Sequence, residues 1–192
     1  MGRIPGGTIV GWILNKIRNA NFFGPYAGRD IINQNILPKP TQMDLLIDVY
    51  KDEVKNGAEV ASLIDELMHY NSKKYEIRNL ETKLLEVNLE ELIKEAEELK
   101  QLISMLILKN QNYKSAQKII TLLLDEVASI FNSKIKPCIT CEITKSAAEQ
   151  LISQHLETEV RKHLGENVLE IYNRQIKGML YFLTGNCHLE WK

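Results

Sequence analysis

Apolar side chains recur every three or four positions through most of the chain, and this period predicts a helical domain over residues 41–192. Thr41 and Asp44 have the spacing of a capping box ahead of the first helix. Later helices are predicted to end at Gly165 and Gly185, because glycine readily adopts the left-handed conformation that closes helices. The pattern therefore predicts several helices joined by short connections.

The longest predicted helix begins near Asn88, which has Glu91 three positions later. Its later part, Ser104–Leu108, is apolar on more than one side, and Leu102–Leu108 offers surface that needs covering. A helix with this pattern is normally enclosed on more than one face. We therefore expect this end of the helix to be covered by other protein.

The first 40 residues differ from the rest, since they contain six of the ten glycines and four of the five prolines. These residues interrupt helices, so residues 1–40 are predicted to form an arm. Within it, Arg29–Ile36 is predicted to be a short strand, and the tail Cys187–Trp191 is predicted to be another. The expected fold class is mainly α: a multi-helix domain with a Gly-rich N-terminal arm and one or two short strands.

Charge and composition exclude several classes of protein. Lys and Arg number 24 against 25 Asp and Glu, so the chain lacks the basic balance of a dedicated nucleic-acid binder. A hydrophobic content of 44% argues against disorder. No apolar run reaches the roughly 18–20 residues that a membrane span requires. Without an export signal, and with three cysteines, the predicted location is the cytoplasm.

Sequence motifs for catalysis are missing. There is no Gly-x-Ser-x-Gly elbow, no phosphate-binding loop and no His-Glu-x-x-His pair. Many acidic residues have the spacing of exposed helical charge pairs, for example Glu90 with Lys94. We therefore expect no enzymatic activity and assign no catalytic, cofactor-binding or metal-binding residue.

One cluster of residue types supports an alternative hypothesis. Cys138 and Cys141 form a Cys-x-x-Cys pair, and Cys187 is followed by His188. Three thiolates and an imidazole suit tetrahedral zinc, so a zinc- or thiol-dependent protein is one interpretation. The other is that these are packing or surface residues, since neighbours on an extended tail point to opposite faces.

The arm supports a third hypothesis, contact with DNA. It carries basic residues interleaved with aromatic ones, an arrangement that can contact phosphates and stack on bases. So few charges would give only weak, salt-sensitive binding. The basic residues are Arg3, Lys16, Arg18 and Arg29, and the aromatic ones are Trp12, Phe22, Phe23 and Tyr26.

Three stretches together resemble a known family. They are Ala27–Ile31 (AGRDI), Ser115–Ile119 (SAQKI) leading to Ser129–Asn132 (SIFN), and the ending Gly178–Trp191 (GMLYFLTGNCHLEW). In this spacing they are similar to the C-terminal domains of bacterial ABC-three-component systems, which are related to Lamassu-type anti-phage defence. The ending is the most specific of the three.

The resemblance implies a role in a larger assembly. Families of this kind pair an SMC-like or Rad50-like ATPase with a small middle component and an effector, and the helical C-terminal domain couples a variable effector to the rest. About 25 residues precede the arm motif here, too few for an effector domain. The chain is therefore expected to be a free-standing connector or a piece of a longer protein.

These observations lead to one main hypothesis: a non-catalytic assembly or adaptor module of a defence complex. It would act through self-association and through binding of the SMC-like ATPase and the middle component. The strand Arg29–Ile36 has backbone groups that need partners, and Arg29 and Asp30 could form charged contacts there. Those partners could come from another chain, or from the tail Cys187–Trp191 of the same chain.

Overall fold

The computed structural model describes residues 40–72 and 78–192, and this part of the chain is mainly α-helical, as predicted. The arm, including the predicted strand Arg29–Ile36, lies outside the described residues, so its boundary and its strand stay predictions. The helices in chain order are α1 (Gln42–Asn56), α2 (Asp65–Asn71), α3 (Leu80–Leu85), α4 (Ile93–Asn110), α5 (Lys114–Ile130), α6 (Lys145–Leu151 and Thr158–His163, joined by the π-helical segment Ile152–Glu157) and α7 (Asn173–Gly185).

The start of α1 has the predicted capping box. The Asp44 amide donates to Thr41 Oγ1 at 3.2 Å, and the Thr41 amide donates to Asp44 Oδ2 at 2.8 Å. The hydrogen bonds from the Thr41 backbone and side chain lower the pKa of the Asp44 carboxyl. The helix ends at Gly57, whose φ of 62° is the left-handed conformation. Gly165 has a φ of 56° after α6, which confirms that helix end also.

The core is built around the packing of α4 against α7. A β-carbon at Gly178 would lie 2.7 Å from the Leu99 carbonyl oxygen and 3.0 Å from Ile103 Cγ1. The two helices can approach this closely only because Gly178 has no side chain. Helix α5 packs against both of them, and α1 packs against α5.

The predicted strand at Cys187–Trp191 is wrong. Residues 186–188 form a turn, residues 189–192 have no regular structure, and no strand occurs in residues 40–72 or 78–192. Cys187 has a φ of 62°, which no strand residue adopts. Its amide donates to the Thr184 carbonyl, and the His188 amide donates to the Leu183 carbonyl at 2.8 Å. These bonds form a Schellman motif, so this backbone closes α7 instead of pairing in a sheet.

Two helix ends also differ from the prediction. Gly185 lies inside α7, and Cys187 takes the left-handed position that closes the helix. Asn88 does not cap α4, which begins at Ile93 after a 3₁₀ turn. The φ of Asn88 is 57°, and its side-chain amide donates to the Cys141 carbonyl at 2.6 Å. In both places, contacts with distant segments outweigh the local sequence signal.

Candidate functional site

The later half of α4 has apolar side chains on its outer face as well as its inner one. Ile103 and Ile107 are buried against the core. Met105 is 68% exposed and Leu108 is 63% exposed, although both lie within a regular helix. We expected this end of the helix to be covered on more than one face. Within the described residues, only the inner face, with Ile103 and Ile107, is covered. The outer face is an apolar surface open to solvent.

These side chains line a shallow groove of about 480 Å³ beside the segment that precedes α7. The groove is lined mainly by apolar side chains with charged ones among them, the usual composition of a protein-binding surface. Its lining includes the apolar residues Leu102, Met105, Leu108 and Leu169 and the charged residues Lys109 and Glu170. We call this surface the α4 patch. Exposed apolar patches of this kind mark interaction sites more often than isolated exposed leucines do.

A buried lysine holds the C-terminal tail against the domain. The side chain of Lys83 on α3 is fully buried. Its Nζ donates to the carbonyl oxygens of Thr184 at 3.2 Å and Leu189 at 2.9 Å, and it lies 2.7 Å from a carboxylate oxygen of Glu190. Arg78 pairs with the same Glu190 carboxylate at 3.2 Å. The ammonium group therefore provides a hydrogen-bond donor for the Leu189 carbonyl of the tail, which has no partner in a sheet among the described residues, and for the Thr184 carbonyl at the end of α7.

The final tryptophan completes this anchor. Trp191 is buried, and its Nε1 donates to Thr184 Oγ1 at 3.0 Å. Its ring packs on Phe131 and lies parallel to the ring of Tyr181, with centroid distances of 5.2 and 6.5 Å. The tail is thus part of the core. Sequence reasoning missed Lys83, because a lysine between leucines on a short helix gives no signal of burial.

A second charged cluster joins three helices. Lys177 on α7 lies 2.8 Å from Glu95 on α4 and 3.7 Å from Glu149 on α6. Tyr181, one turn along α7, is buried, and its hydroxyl has no hydrogen-bond partner among the residues that the structure describes. Burial, and to a smaller extent the charges of the two glutamates, raise the pKa of this phenol. The cluster cross-links helices around a neutral tyrosine.

Another groove, of about 540 Å³, lies between the start of α1 and the end of α6. Thr41 and Asp44 line it on one side, and both are already paired in the capping box. On the other side His163 Nδ1 is 4.0 Å from a carboxylate oxygen of Glu126, and both side chains are partly exposed. This groove therefore carries a loose, solvent-exposed contact between a histidine and a glutamate at its edge.

The predicted metal ligands do not form a metal site. Cys138 and Cys141 are exposed, whereas Cys187 is buried and its Sγ donates to the Arg78 carbonyl at 3.3 Å. The ring of His188 packs against His69 and Tyr70 instead of turning towards a thiol. Across the two described ranges, no three His, Cys, Asp or Glu side chains are grouped so that they could hold a metal ion. The geometry of these residues thus gives the zinc hypothesis no support.

The residues proposed for DNA contact lie outside the described part of the chain. They are the arm residues Arg3, Lys16, Arg18 and Arg29 with Trp12, Phe22, Phe23 and Tyr26. The DNA hypothesis therefore stays a prediction.

Comparison with protein families gives a match over most of the described domain. A family profile for C-terminal domain 9 of the ABC-three component (ABC-3C) systems matches residues 79–191. The chain belongs to this family. The match begins at Asn79, which caps α3, and ends at Trp191 in the anchored tail, so the CTD9 region contains the α4 patch and the Lys83 anchor. Comparisons with curated proteins and with solved structures found no match.

Membership in the CTD9 family confirms the resemblance to ABC-three-component systems, and it fits a component of a defence system. The relation to Lamassu-type systems stays a prediction. Among residues 40–72 and 78–192, no helix has both the length and the apolar character that crossing a membrane requires. The cytoplasmic location also stays a prediction.

Proposed function

We propose that this CTD9 protein is a non-catalytic assembly module of a bacterial ABC-3C defence complex. It acts through self-association and through binding of the SMC-like ATPase and the small middle component of its own system. The observation that carries the proposal is the α4 patch, an apolar surface inside the family-defining region.

The energetics of the patch favour its burial in an assembly. Covering a side chain such as that of Met105 or Leu108 completely is worth about 1.5–3 kcal/mol relative to full exposure. Both side chains are already about one third covered, so the remaining gain is about 1–2 kcal/mol each. Met105 and Leu108, together with the charged residues beside them, therefore supply part of the free energy of binding. This gain is opposed by the entropic cost of association.

The arrangement of the charged clusters also fits an assembly role. Lys83 with Glu190, and Lys177 with Glu95, connect one element of the fold to another. Such pairs fix the positions of α3, α4, α7 and the tail, so that the outer face of α4 is presented on a rigid support. A rigid surface loses little conformational entropy on binding.

Co-purification tests this proposal. The tagged chain is co-expressed with the products of the neighbouring genes and recovered by its tag. Wild type is expected to retain the ATPase, whereas the double variant Met105→Glu, Leu108→Glu is expected to lose most of it. Lys118→Glu is the matched control, because it changes an exposed position on α5. Failure of the wild-type chain to retain any other component would refute the proposal.

A further inference from the structure

The outer face of α4 has a pattern of residues that is complementary to itself. Glu98, Leu102, Met105 and Lys109 are separated by four, three and four positions. At 3.6 residues per turn, these four side chains lie within an arc of about 60° on one side of the helix. They form a single stripe, with an acid at one end, a base at the other and two apolar residues between them. We call it the α4 stripe.

Reversing the direction of the α4 stripe gives a matching partner. When a second copy of the helix runs antiparallel across the first, Glu98 lies opposite the partner copy's position 109 and Leu102 lies opposite position 105. The same contacts occur twice, because a two-fold axis passes between Leu102 and Met105. Such an isologous contact is the usual form of a homodimer interface. Each end then carries one Glu–Lys pair, and the centre carries two Leu–Met contacts.

The exposure of these residues leaves the stripe accessible. Glu98, Met105 and Lys109 are exposed, and Leu102 is partly buried at the base of the groove. Three charged residues of α4 already take part in ion pairs: Lys100 lies 3.2 Å from Glu97, and Glu95 pairs with Lys177. Glu98 and Lys109 are exposed charges at the two ends of the apolar pair Leu102 and Met105.

We propose that a second copy of this chain occupies the α4 patch, with the two α4 helices antiparallel across a two-fold axis between Leu102 and Met105. This inference rests on the self-association part of the proposed function. Helices packed in this way lie about 8–10 Å apart, a distance at which Leu and Met side chains interdigitate. The two Glu98–Lys109 pairs set the direction and register, because a parallel arrangement would bring like charges together.

Charge reversal separates this arrangement from other modes of association. In Glu98→Lys or Lys109→Glu alone, both symmetry-related pairs become repulsive, so the dimerisation constant should weaken by about tenfold or more. Mixing the two single variants places unlike charges opposite each other at both ends. The mixture should therefore form a heterodimer with nearly wild-type affinity. The double variant should also recover its homodimer, because the two charges have exchanged places.

Sedimentation equilibrium of the 192-residue chain measures these constants, with Lys118→Glu and Glu142→Lys as controls at exposed positions elsewhere. A wild-type chain that is monomeric at tens of micromolar would overturn the inference. A dimer whose dissociation constant does not change in the single charge-reversal variants would also overturn it. So would a dimer that is lost in the single variants and is not restored when the two variants are mixed. These measurements use the chain alone, so their failure is distinguishable from failure of the wild-type chain to retain the ATPase, which tests the partner-binding part of the proposed function.

Discussion

Replacing Gly178 by alanine tests the close packing that supports α4. In an unobstructed helix this change stabilises a protein by up to about 1 kcal/mol, because alanine has the higher helix propensity. Here the new β-carbon would lie 2.7 Å from the Leu99 carbonyl oxygen, which belongs to the backbone of α4. Relieving this contact requires α4 and α7 to move apart. Overpacking of this kind costs about 1–3 kcal/mol.

We expect the overpacking cost to be near the upper end of that range and to exceed the gain in helix propensity. The free energy of unfolding should therefore fall by about 1–2 kcal/mol. For a domain of this size that loss lowers the melting temperature by about 2–8 °C. Urea unfolding followed by circular dichroism at 222 nm measures the free energy, and a thermal melt measures the temperature.

Gly185→Ala is the matched control for this prediction. Its β-carbon would lie 2.9 Å from Lys100 Cδ and Cε, and the end of that side chain can move aside. We expect stability equal to wild type or higher by up to about 1 kcal/mol. If Gly178→Ala stabilises the domain as much as Gly185→Ala does, the proposed close contact of α4 and α7 is incorrect.

Two further predictions concern Lys83, which is buried, and Tyr70, which is partly buried. Lys83→Met should lower the free energy of unfolding by about 2–4 kcal/mol, because Glu190 and two backbone carbonyls lose their charged partner. Adding Glu190→Gln should recover part of this loss of stability. Urea titration measures the free energy of unfolding of both variants. Burial, with the hydrogen bond to Asp125 and its charge, raises the pKa of Tyr70 from 10.0 to about 12. The unfolded chain therefore loses this proton first, so the stabilising contribution is complete below pH 10 and is lost as the pH rises from 10 to 12. Tyr70→Phe should show a smaller fall in urea midpoint between pH 9 and pH 11, and an unchanged fall would contradict the assigned environment.

The helices could be predicted from the sequence where local chemistry decides them. The Thr41 and Asp44 capping box involves residues three positions apart, and Gly165 closes its helix through its own backbone freedom. Gly185 misled the prediction because it is the last helical residue of α7, packed against the Lys100 side chain, and Cys187 takes the left-handed position that closes the helix. The tail is too short for a helix, which favoured a strand, but its Leu189 carbonyl binds Lys83 and its first amides close α7 instead.

The candidate site could be predicted in part. The excess of apolar residues in Leu102–Leu108 indicated a surface that needs cover, and the exposed Met105 and Leu108 lie in that stretch. Which face is open could not be read from composition, because core faces and interface faces contain the same residue types. The opposite burial of Ile103 and Met105 becomes clear only once α7 is packed against α4.

Native mass spectrometry of the tagged chain, alone and after co-expression with the other genes of its system, tests the central claim most directly. The account predicts a dimer of the 22.1 kDa chain when it is alone, and an assembly containing two copies together with the ATPase when all components are present. A single 22.1 kDa species under both conditions at micromolar concentration would contradict it.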